Sequence, residues 1–160
     1  MISDGRDPPG MDTLTLEDIF SFRLAGDTTA TAGQPSEQEF SAIAKAGYEV
    51  VINLGLHDAP YALPNEPLLV ESLGMKYLHI PVDFSQPEMS DLQNFFDAMA
   101  SNEGRRVFIH CAANKRVTAF LGLYRVIKLN WGPERAFELM HEIWKPNHVW
   151  ERFIRDALQK

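Results

Sequence analysis

The stretch that decides the fold is Val107-Phe108-Ile109-His110-Cys111-Ala112-Ala113-Asn114-Lys115-Arg116-Val117-Thr118, which holds the only cysteine of a chain of 160 residues. Its first part is a short apolar run with β-branched and aromatic residues, which predicts a buried strand ending at His110. An apolar helix is predicted to begin almost at once, at Thr118. A tight loop between a strand and a helix turns backbone N–H groups toward one point, where the helix dipole adds positive charge. The stretch therefore predicts an anion-binding loop around a thiol.

The charge at this point acts on Cys111 as well as on an anion. Lys115 and Arg116 add positive charge beside it, and positive surroundings favour the nucleophilic thiolate over the thiol. We therefore expect Cys111 to be mostly a thiolate at neutral pH. The alternative is that Cys111 is only a small buried apolar residue, as cysteines at strand ends often are.

The sequence from His110-Cys111 through Arg116 to Thr118 resembles the signature loop of the cysteine-dependent protein tyrosine phosphatases, in particular the compact dual-specificity branch. The resemblance implies that Cys111 attacks phosphorus, that Arg116 clamps the phosphoryl oxygens and that the Thr118 hydroxyl helps the thiolate leave. It also implies a reaction without metal or other cofactor, and a dual-specificity-like fold. Further substrate-binding residues implied by the loop are Ala112, Ala113, Asn114, Lys115 and Val117.

The chain is similar, more closely still, to a group of bacterial phosphatase-like domains. That similarity runs through Thr31-Ala32-Gly33-Gln34-Pro35, the strand Val50-Val51-Ile52-Asn53-Leu54 and the Cys-Ala-Ala-Asn loop, so it covers most of the chain. It implies that the loop length found here belongs to the group.

The spacing of the loop departs from the wider phosphatase pattern. That family places five residues between Cys and Arg, whereas four residues separate Cys111 from Arg116. Either the loop is one residue tighter and Arg116 still reaches the anion, or the loop keeps its length and Arg116 points elsewhere. The difference matters because a planar guanidinium grips two phosphoryl oxygens in a way that a lysine cannot.

Length and composition predict one globular domain over residues 13–160, preceded by a flexible polar tail at residues 1–12. The hydrophobic fraction of 45% and the charged fraction of 23% are ordinary for such a domain. No segment approaches the run of about 18 apolar residues that a membrane helix needs.

Charge and cysteine content exclude several classes of partner and site. The formal net charge of −7 disfavours non-specific binding to nucleic acid or a membrane surface. A single cysteine excludes an internal disulfide and a Cys-rich zinc site, and it is typical of a reducing compartment, so we expect a cytoplasmic protein. The expected partner is a phosphorylated protein or small molecule, and the sequence does not determine the oligomeric state.

Periodicity predicts strands that alternate with helices. Strands are predicted at residues 22–25, 48–54, 75–82 and 105–110, and helices at 14–20, 36–47, 67–73, from Ser90 to 99, and at 118–129, 133–144 and 148–158, with a loop at 27–34. This order indicates an α/β fold with a mostly parallel central sheet of about four to five strands and helices on both faces. Ligands bind such sheets at the carboxyl ends of the strands, where Cys111 lies.

Asp83 is the candidate general acid. It follows the strand predicted at residues 75–82, at the same sheet edge as Cys111, and it matches the loop in which the dual-specificity family carries its acid. Glu88 and Asp91 are alternates, although Asp91 is explained as a favourable charge in the first turn of a helix. The competing interpretation of Asp83 is a carboxylate that makes a turn hydrogen bond.

His110 is expected to support the site without acting in it. Neighbours on a strand face opposite sides, so we expect the His110 side chain to order the Cys111 loop by hydrogen bonding and not to act as the base.

Three functions remain open from the sequence. The first is a metal-independent phosphatase with a cysteinyl-phosphate intermediate. The second is a rhodanese-type sulfurtransferase, which also places a reactive cysteine in an anion loop after a parallel strand. The third is a phosphoanion-binding module of phosphatase fold without turnover, which the short loop favours.

Overall fold

The computed structural model describes residues 15–159, so the predicted tail at residues 1–12 lies outside the described residues. The strands are β1 (Arg23–Leu24), β2 (Thr29–Ala32), β3 (Val50–Asn53), β4 (Lys76–His79) and β5 (Val107–His110). A 3-10 helix at Leu16–Asp18 precedes the helices α1 (Glu37–Lys45), α2 (Glu66–Ser72), α3 (Met89–Ser101), α4 (Lys115–Ile127), α5 (Pro133–Ala136), α6 (Glu138–Ile143) and α7 (His148–Leu158).

The five strands form one sheet in the order β1-β2-β5-β3-β4. Only the edge strand β1 is antiparallel to its neighbour, and the other pairs are parallel. Strand β5 is central, with Ala32 and Asn53 paired to His110 on either side. Three strands therefore end level with one another, and the chain leaves the middle of this edge at Cys111.

Helices cover both faces of the sheet. On one face the core contains Phe95 of α3, Phe120 of α4 and Trp150 of α7. On the other face it contains Phe40 of α1 and Val70 of α2. The predicted α/β class, with a mostly parallel sheet and helices on both faces, is confirmed.

Helix α1 begins where its sequence predicts. Ser36 Oγ accepts a hydrogen bond from Glu39 N at 3.2 Å, and Glu39 Oε1 accepts one from Ser36 N at 2.9 Å. This reciprocal pair satisfies two backbone donors that the start of a helix leaves free. The chain thus enters α1 directly after the Thr31–Pro35 motif.

The predicted loop at residues 27–34 is wrong, because it contains strand β2. The segment Thr29-Ala30-Thr31-Ala32 has little apolar area, so its pattern did not indicate a buried strand. Ala30, Thr31 and Ala32 are nevertheless fully buried, because β2 lies between β1 and β5 and its small side chains fit beneath the elements packed on the sheet. The sheet thereby gains a parallel strand beside β5.

Three predicted helix boundaries are also wrong. Helix α3 begins at Met89 with Glu88 as its N-cap, so Ser90 lies inside the first turn. Helix α4 begins at Lys115, three residues before the predicted Thr118, because Asn114 adopts the left-handed conformation that ends the loop. The helix predicted at residues 133–144 is two helices, interrupted at Phe137, where φ is −103° and ψ is 12°.

Candidate anion-binding active site

Cys111 lies directly after β5 and is 1% exposed. Its backbone N–H donates to the carbonyl oxygen of Ala32 at 3.3 Å, and Gln34 N–H donates to the carbonyl oxygen of Ala112 at 3.0 Å. Gly33 and Ala113 form an isolated antiparallel bridge. The Cys loop, defined as residues 111–114, is therefore held along one side by the chain that leaves β2.

Gly33 lets these two segments approach. A Cβ atom at this position would lie 2.5 Å from the carbonyl oxygen of Ala112 and 2.6 Å from Cδ2 of Phe20. Real Cβ atoms do not approach other atoms this closely, so only glycine fits without movement. Gly33 is the residue of the Thr31–Pro35 motif that sets the position of the Cys loop.

Asn114 ends the Cys loop and leaves the start of α4 uncapped. It is fully buried and has a positive φ of 64°. Its Nδ2 donates to the carbonyl oxygen of Ser21 and to Thr31 Oγ1, both at 2.9 Å. Although asparagine is a good N-cap residue, this side chain makes no capping hydrogen bond to α4. The first backbone N–H groups of α4, which have no partners within the helix, remain available to an anion.

Arg116 lies in the first turn of α4 and is 5% exposed. Its Nη1 donates to the carbonyl oxygen of Val82 at 2.8 Å, and its Nη2 donates to Tyr61 Oη at 3.2 Å. Its Nε is buried without a hydrogen-bond partner. The guanidinium of Arg116 therefore lies against the loops after β3 and β4.

Lys115 has a different environment from Arg116. Its side chain is exposed, and its Nζ lies 5.9 Å from the ring centroids of both Phe84 and Trp144. The ammonium group is therefore at the rim of the site, over two aromatic rings, while the guanidinium of Arg116 is inside.

Val117 and Thr118 turn their side chains into the protein. Val117 is fully buried within the core on the α4 face of the sheet, so only its backbone N–H can contact an anion. Thr118 Oγ1 donates to the carbonyl oxygen of Asn114 at 2.8 Å and accepts from Trp144 Nε1 at 3.2 Å. Because a hydroxyl has one proton, this arrangement gives it to the backbone and leaves none for a sulfur atom.

Asp83 is exposed, and it follows Val82, whose carbonyl oxygen binds Arg116. Its Oδ1 accepts a hydrogen bond from Ser85 N at 2.8 Å, the turn contact that the competing interpretation expects. One carboxylate oxygen of Asp83 therefore holds the turn. The Arg116 contact places this turn at the edge of the site.

The alternate acids lie further along the same segment. Glu88 is the N-cap of α3, and Asp91 follows in the first turn of that helix. Burial raises the pKa of Asp91 above its ordinary value, and a hydrogen bond with the backbone of Glu88 offsets part of this rise in pKa. Glu88 and Asp91 are therefore less directly connected to Arg116 than Asp83 is, because Asp83 follows Val82, whose carbonyl oxygen accepts from Arg116.

His110 is fully buried below the Cys loop. Its Nδ1 donates to the carbonyl oxygen of Cys111 at 3.1 Å, and its Nε2 lies 2.6 Å from Glu66 Oε2. Gln34 Nε2 donates to Glu66 Oε1 at 2.8 Å. Burial alone would raise the pKa of Glu66, but the hydrogen bond and charge of His110 outweigh it, so the pKa lies below its usual value.

Two further histidines, His57 and His79, form a stacked pair of imidazoles. The rings of His57 and His79 stack with centroids 3.7 Å apart, and His79 Nε2 donates to the carbonyl oxygen of Gly55 at 2.7 Å. Tyr77 Oη lies 2.9 Å from His57 Nε2. Burial lowers the pKa of His79, and the neighbouring His57 lowers it further.

Sequence reasoning missed three residues of the site. Tyr61 contacts the Arg116 guanidinium, Trp144 binds Thr118, and Glu66 pairs with His110. The only signal for Tyr61 was its place in a loop after a strand on the correct edge. Glu66 and Trp144 gave no signal, because a glutamate at a helix start and a tryptophan in a terminal helix have ordinary explanations.

Over residues 15–159, no group of three or more His, Cys, Asp or Glu side chains is placed to hold a metal ion. In the same part of the chain, no helix combines the length and apolar character needed to span a membrane.

Comparison with known proteins includes a relative that matches over nearly its whole length. The structure of a "Putative phosphatase (DUF442)" from Shewanella putrefaciens CN-32 is 32% identical in sequence, with a TM-score of 0.80, covering 89% of this chain and 91% of that one. A second structure of the same name and organism has a TM-score of 0.81 and coverage of 90% and 95%. No protein-family model matches the sequence.

Other matches are more distant or partial. Tk-PTP in its active form is 19% identical with a TM-score of 0.74, covering 88% of this chain and 97% of that one, which shows a shared fold. The "Beta-lactamase hydrolase-like protein" of Xylella fastidiosa (strain Temecula1 / ATCC 700964) is 32% identical over 104 residues, 61% of this chain. The matched part is 23% of that relative, so the chain spans about a quarter of its length.

Proposed function

Because the chain belongs to the DUF442 family of phosphatase-like proteins, within the cysteine-based protein tyrosine phosphatase superfamily, we propose that it hydrolyses phosphate monoesters with Cys111 as the nucleophile. The observation that supports this most strongly is the presence of two unsatisfied donor sets directly after the Cys loop in the chain. One is the uncapped first turn of α4, and the other is the buried Nε of Arg116.

Arg116 is assigned the grip on the phosphoryl group. Its Nη1 is occupied by Val82, and one N–H of Nη2 is used by Tyr61. A guanidinium has five N–H donors and these contacts use two of them, so the Nε–H, one Nη1–H and one Nη2–H are left for phosphoryl oxygens. The contacts to Val82 and Tyr61 hold the guanidinium in place before substrate arrives, and fixed donors are effective where charge develops.

The first chemical step is attack of the Cys111 thiolate on phosphorus. A sulfur–phosphorus bond forms, the ester oxygen–phosphorus bond breaks, and Asp83 donates its proton to the leaving oxygen. The backbone N–H groups of the Cys loop and the first turn of α4 stabilise the equatorial oxygens. The second step is attack of water on the cysteinyl phosphate, with the Asp83 carboxylate accepting a proton, which releases phosphate and restores the thiolate.

The substrate is proposed to be a phosphorylated protein or small molecule. The net charge of −7 gives no long-range attraction for polyanions, so affinity must come from the local site of Arg116, Lys115 and the α4 terminus. The single cysteine is suited to a reducing compartment such as the cytoplasm.

The proposal is tested by hydrolysis of p-nitrophenyl phosphate in the presence of a metal chelator. Turnover by the wild-type protein and its loss in Cys111→Ser are the expected results. The matched control is Ser101→Ala, an exposed change at the end of α3, which should leave the rate unchanged. Turnover that persists in Cys111→Ser, or that the chelator abolishes, would refute the proposal.

The same protein samples distinguish the other two functions. A sulfurtransferase would convert thiosulfate and cyanide to thiocyanate, with Cys111 carrying the sulfur, and would show no phosphatase turnover. A binding module would retain sulfate or phosphate binding, measured by calorimetry, without either reaction.

A further inference from the structure

His110 has two hydrogen-bond partners, and both are acceptors. Its Nδ1 faces the carbonyl oxygen of Cys111 at 3.1 Å, and a carbonyl oxygen can only accept. Its Nε2 faces Glu66 Oε2 at 2.6 Å. A neutral imidazole has one N–H, so it can satisfy one of these contacts but not both when Glu66 is ionised. The geometry therefore requires two ring protons on His110 or a protonated Glu66.

The surroundings of Glu66 favour the ionised carboxylate. Gln34 Nε2 donates to its Oε1 at 2.8 Å, so both carboxylate oxygens face an N–H donor. Glu66 is 1% exposed and His110 is fully buried, so neither charge is screened by water. A buried carboxylate is stabilised by hydrogen-bond donors and by a positive partner nearby. His110 is the partner in contact.

We propose that Glu66 is a positioning residue that keeps His110 as an imidazolium beneath the Cys loop, and that this fixed positive charge stabilises the Cys111 thiolate. His110 lies between Glu66 and Cys111, so the positive end of the ion pair faces the loop and the negative end faces away. The inference deepens the proposed function, on which it rests for the use made of the thiolate.

The Thr31–Pro35 motif then has two roles at the site. Gly33 positions the Cys loop by close approach to Ala112, and Gln34 holds the carboxylate that fixes the charge on His110. Glu66 comes from the start of α2, on a part of the chain that sequence reasoning did not connect with catalysis. The motif, the loop and the ion pair form one continuous set of contacts.

Other ionisable groups face the pair from β4 and from the loop after β3. Tyr77 carries no charge, because burial and the adjacent Glu66 carboxylate raise the pKa of its phenol and so keep it protonated. His79 and His57 stack beyond it, and burial lowers the pKa of His79, which favours a neutral ring. Lys115 and Arg116 lie in the first turn of α4, directly after the loop. Within the described residues, Glu66 is thus the negative group in contact with His110.

The test measures the thiolate directly by the pH dependence of alkylation of Cys111 with iodoacetamide, which needs no turnover. Cys111 is the only cysteine in the chain, so all alkylation reports on this site. Glu66→Gln keeps an oxygen that accepts from His110 but removes the charge. It should move the midpoint of the alkylation profile up by about one pH unit, which is about tenfold less thiolate below the midpoint. Glu71→Gln, an exposed change on the same helix, is the matched control and should move nothing.

A second measurement on the wild-type protein covers the case in which Glu66→Gln does not fold. Nitrogen-15 NMR of the histidine ring should show both His110 nitrogens protonated from pH 6 to pH 8. A neutral His110 at pH 7, or an alkylation profile that Glu66→Gln leaves unmoved, would overturn the inference. A shifted alkylation profile without phosphatase turnover would retain it while refuting the proposed function.

Discussion

Arg116 Nη1 donates a hydrogen bond to the carbonyl oxygen of Val82 at 2.8 Å and so joins the first turn of α4 to the turn that carries Asp83. Arg116 follows β5 and Val82 follows β4, at the same edge of the sheet and with β3 between the two strands. This contact connects the group proposed to hold the phosphoryl oxygens with the group proposed to protonate the leaving oxygen.

Arg116→Lys should lower kcat for aryl phosphate hydrolysis by about 10²-fold or more, because a lysine cannot replace two donors on one planar edge. It should also weaken sulfate binding measured by calorimetry. Lys115→Gln is the control, since the Lys115 side chain lies at the exposed rim and its loss should have a much smaller effect. Equal losses in the two variants would contradict the assignment of Arg116.

Asp83→Asn should slow release of poor leaving groups far more than release of activated ones. A positioned acid contributes about 10²–10⁴-fold when the leaving oxygen needs a proton, and little when it does not. The measurement compares kcat/KM for an alkyl phosphate with that for p-nitrophenyl phosphate. Asp91→Asn tests the alternate acid in the same way, and a larger leaving-group effect there would transfer the role to Asp91.

Gly33→Ala should destabilise the protein and weaken anion binding together. The added Cβ would meet the Ala112 carbonyl oxygen at 2.5 Å, and overpacking of this kind costs about 1–3 kcal/mol in the free energy of unfolding. Gly132→Ala is the matched control, since its Cβ would meet nothing within 4 Å and its φ is −64°. Urea unfolding with and without sulfate checks both effects. A stable Gly33→Ala protein with normal sulfate affinity would show that the close approach is unimportant.

His79 should make stability depend on pH below neutrality. Burial lowers the pKa of His79 in the folded protein, so the unfolded chain binds a proton more readily. This contribution is present above the ordinary histidine range and is lost as pH falls below it. His79→Gln can still donate to Gly55, and it should flatten this part of the curve of melting temperature against pH. His141→Gln, at an exposed position, should not.

The centre of the fold could be predicted from the sequence because its signals are local. The apolar run before Cys111 and the apolar positions of α4 indicate a buried strand followed by a buried helix, and both were found. Capping chemistry placed the start of α1 correctly at Ser36. These features depend on neighbouring residues, which the sequence shows directly.

Strand β2 could not be predicted, because its stability comes from partners distant in the chain. Thr31 pairs with Ile109 in the sheet, and its hydroxyl accepts from Asn114, 83 positions away. Neither contact leaves a periodic apolar pattern. The Glu66–His110 contact, across 44 positions, was missed for the same reason. The sequence therefore indicated the residues of the Cys loop as candidates but not the residues that contact the loop from other elements.

The most direct test of the central claim is a rapid acid quench during turnover of p-nitrophenyl phosphate, followed by peptide mass spectrometry. We expect a phosphoryl group on the peptide that contains Cys111, accumulating when water attack is slower than thiolate attack and absent in Cys111→Ser. Turnover at full rate with the phosphoryl group on another residue, or turnover that Cys111→Ser leaves intact, would contradict the claim that Cys111 is the nucleophile.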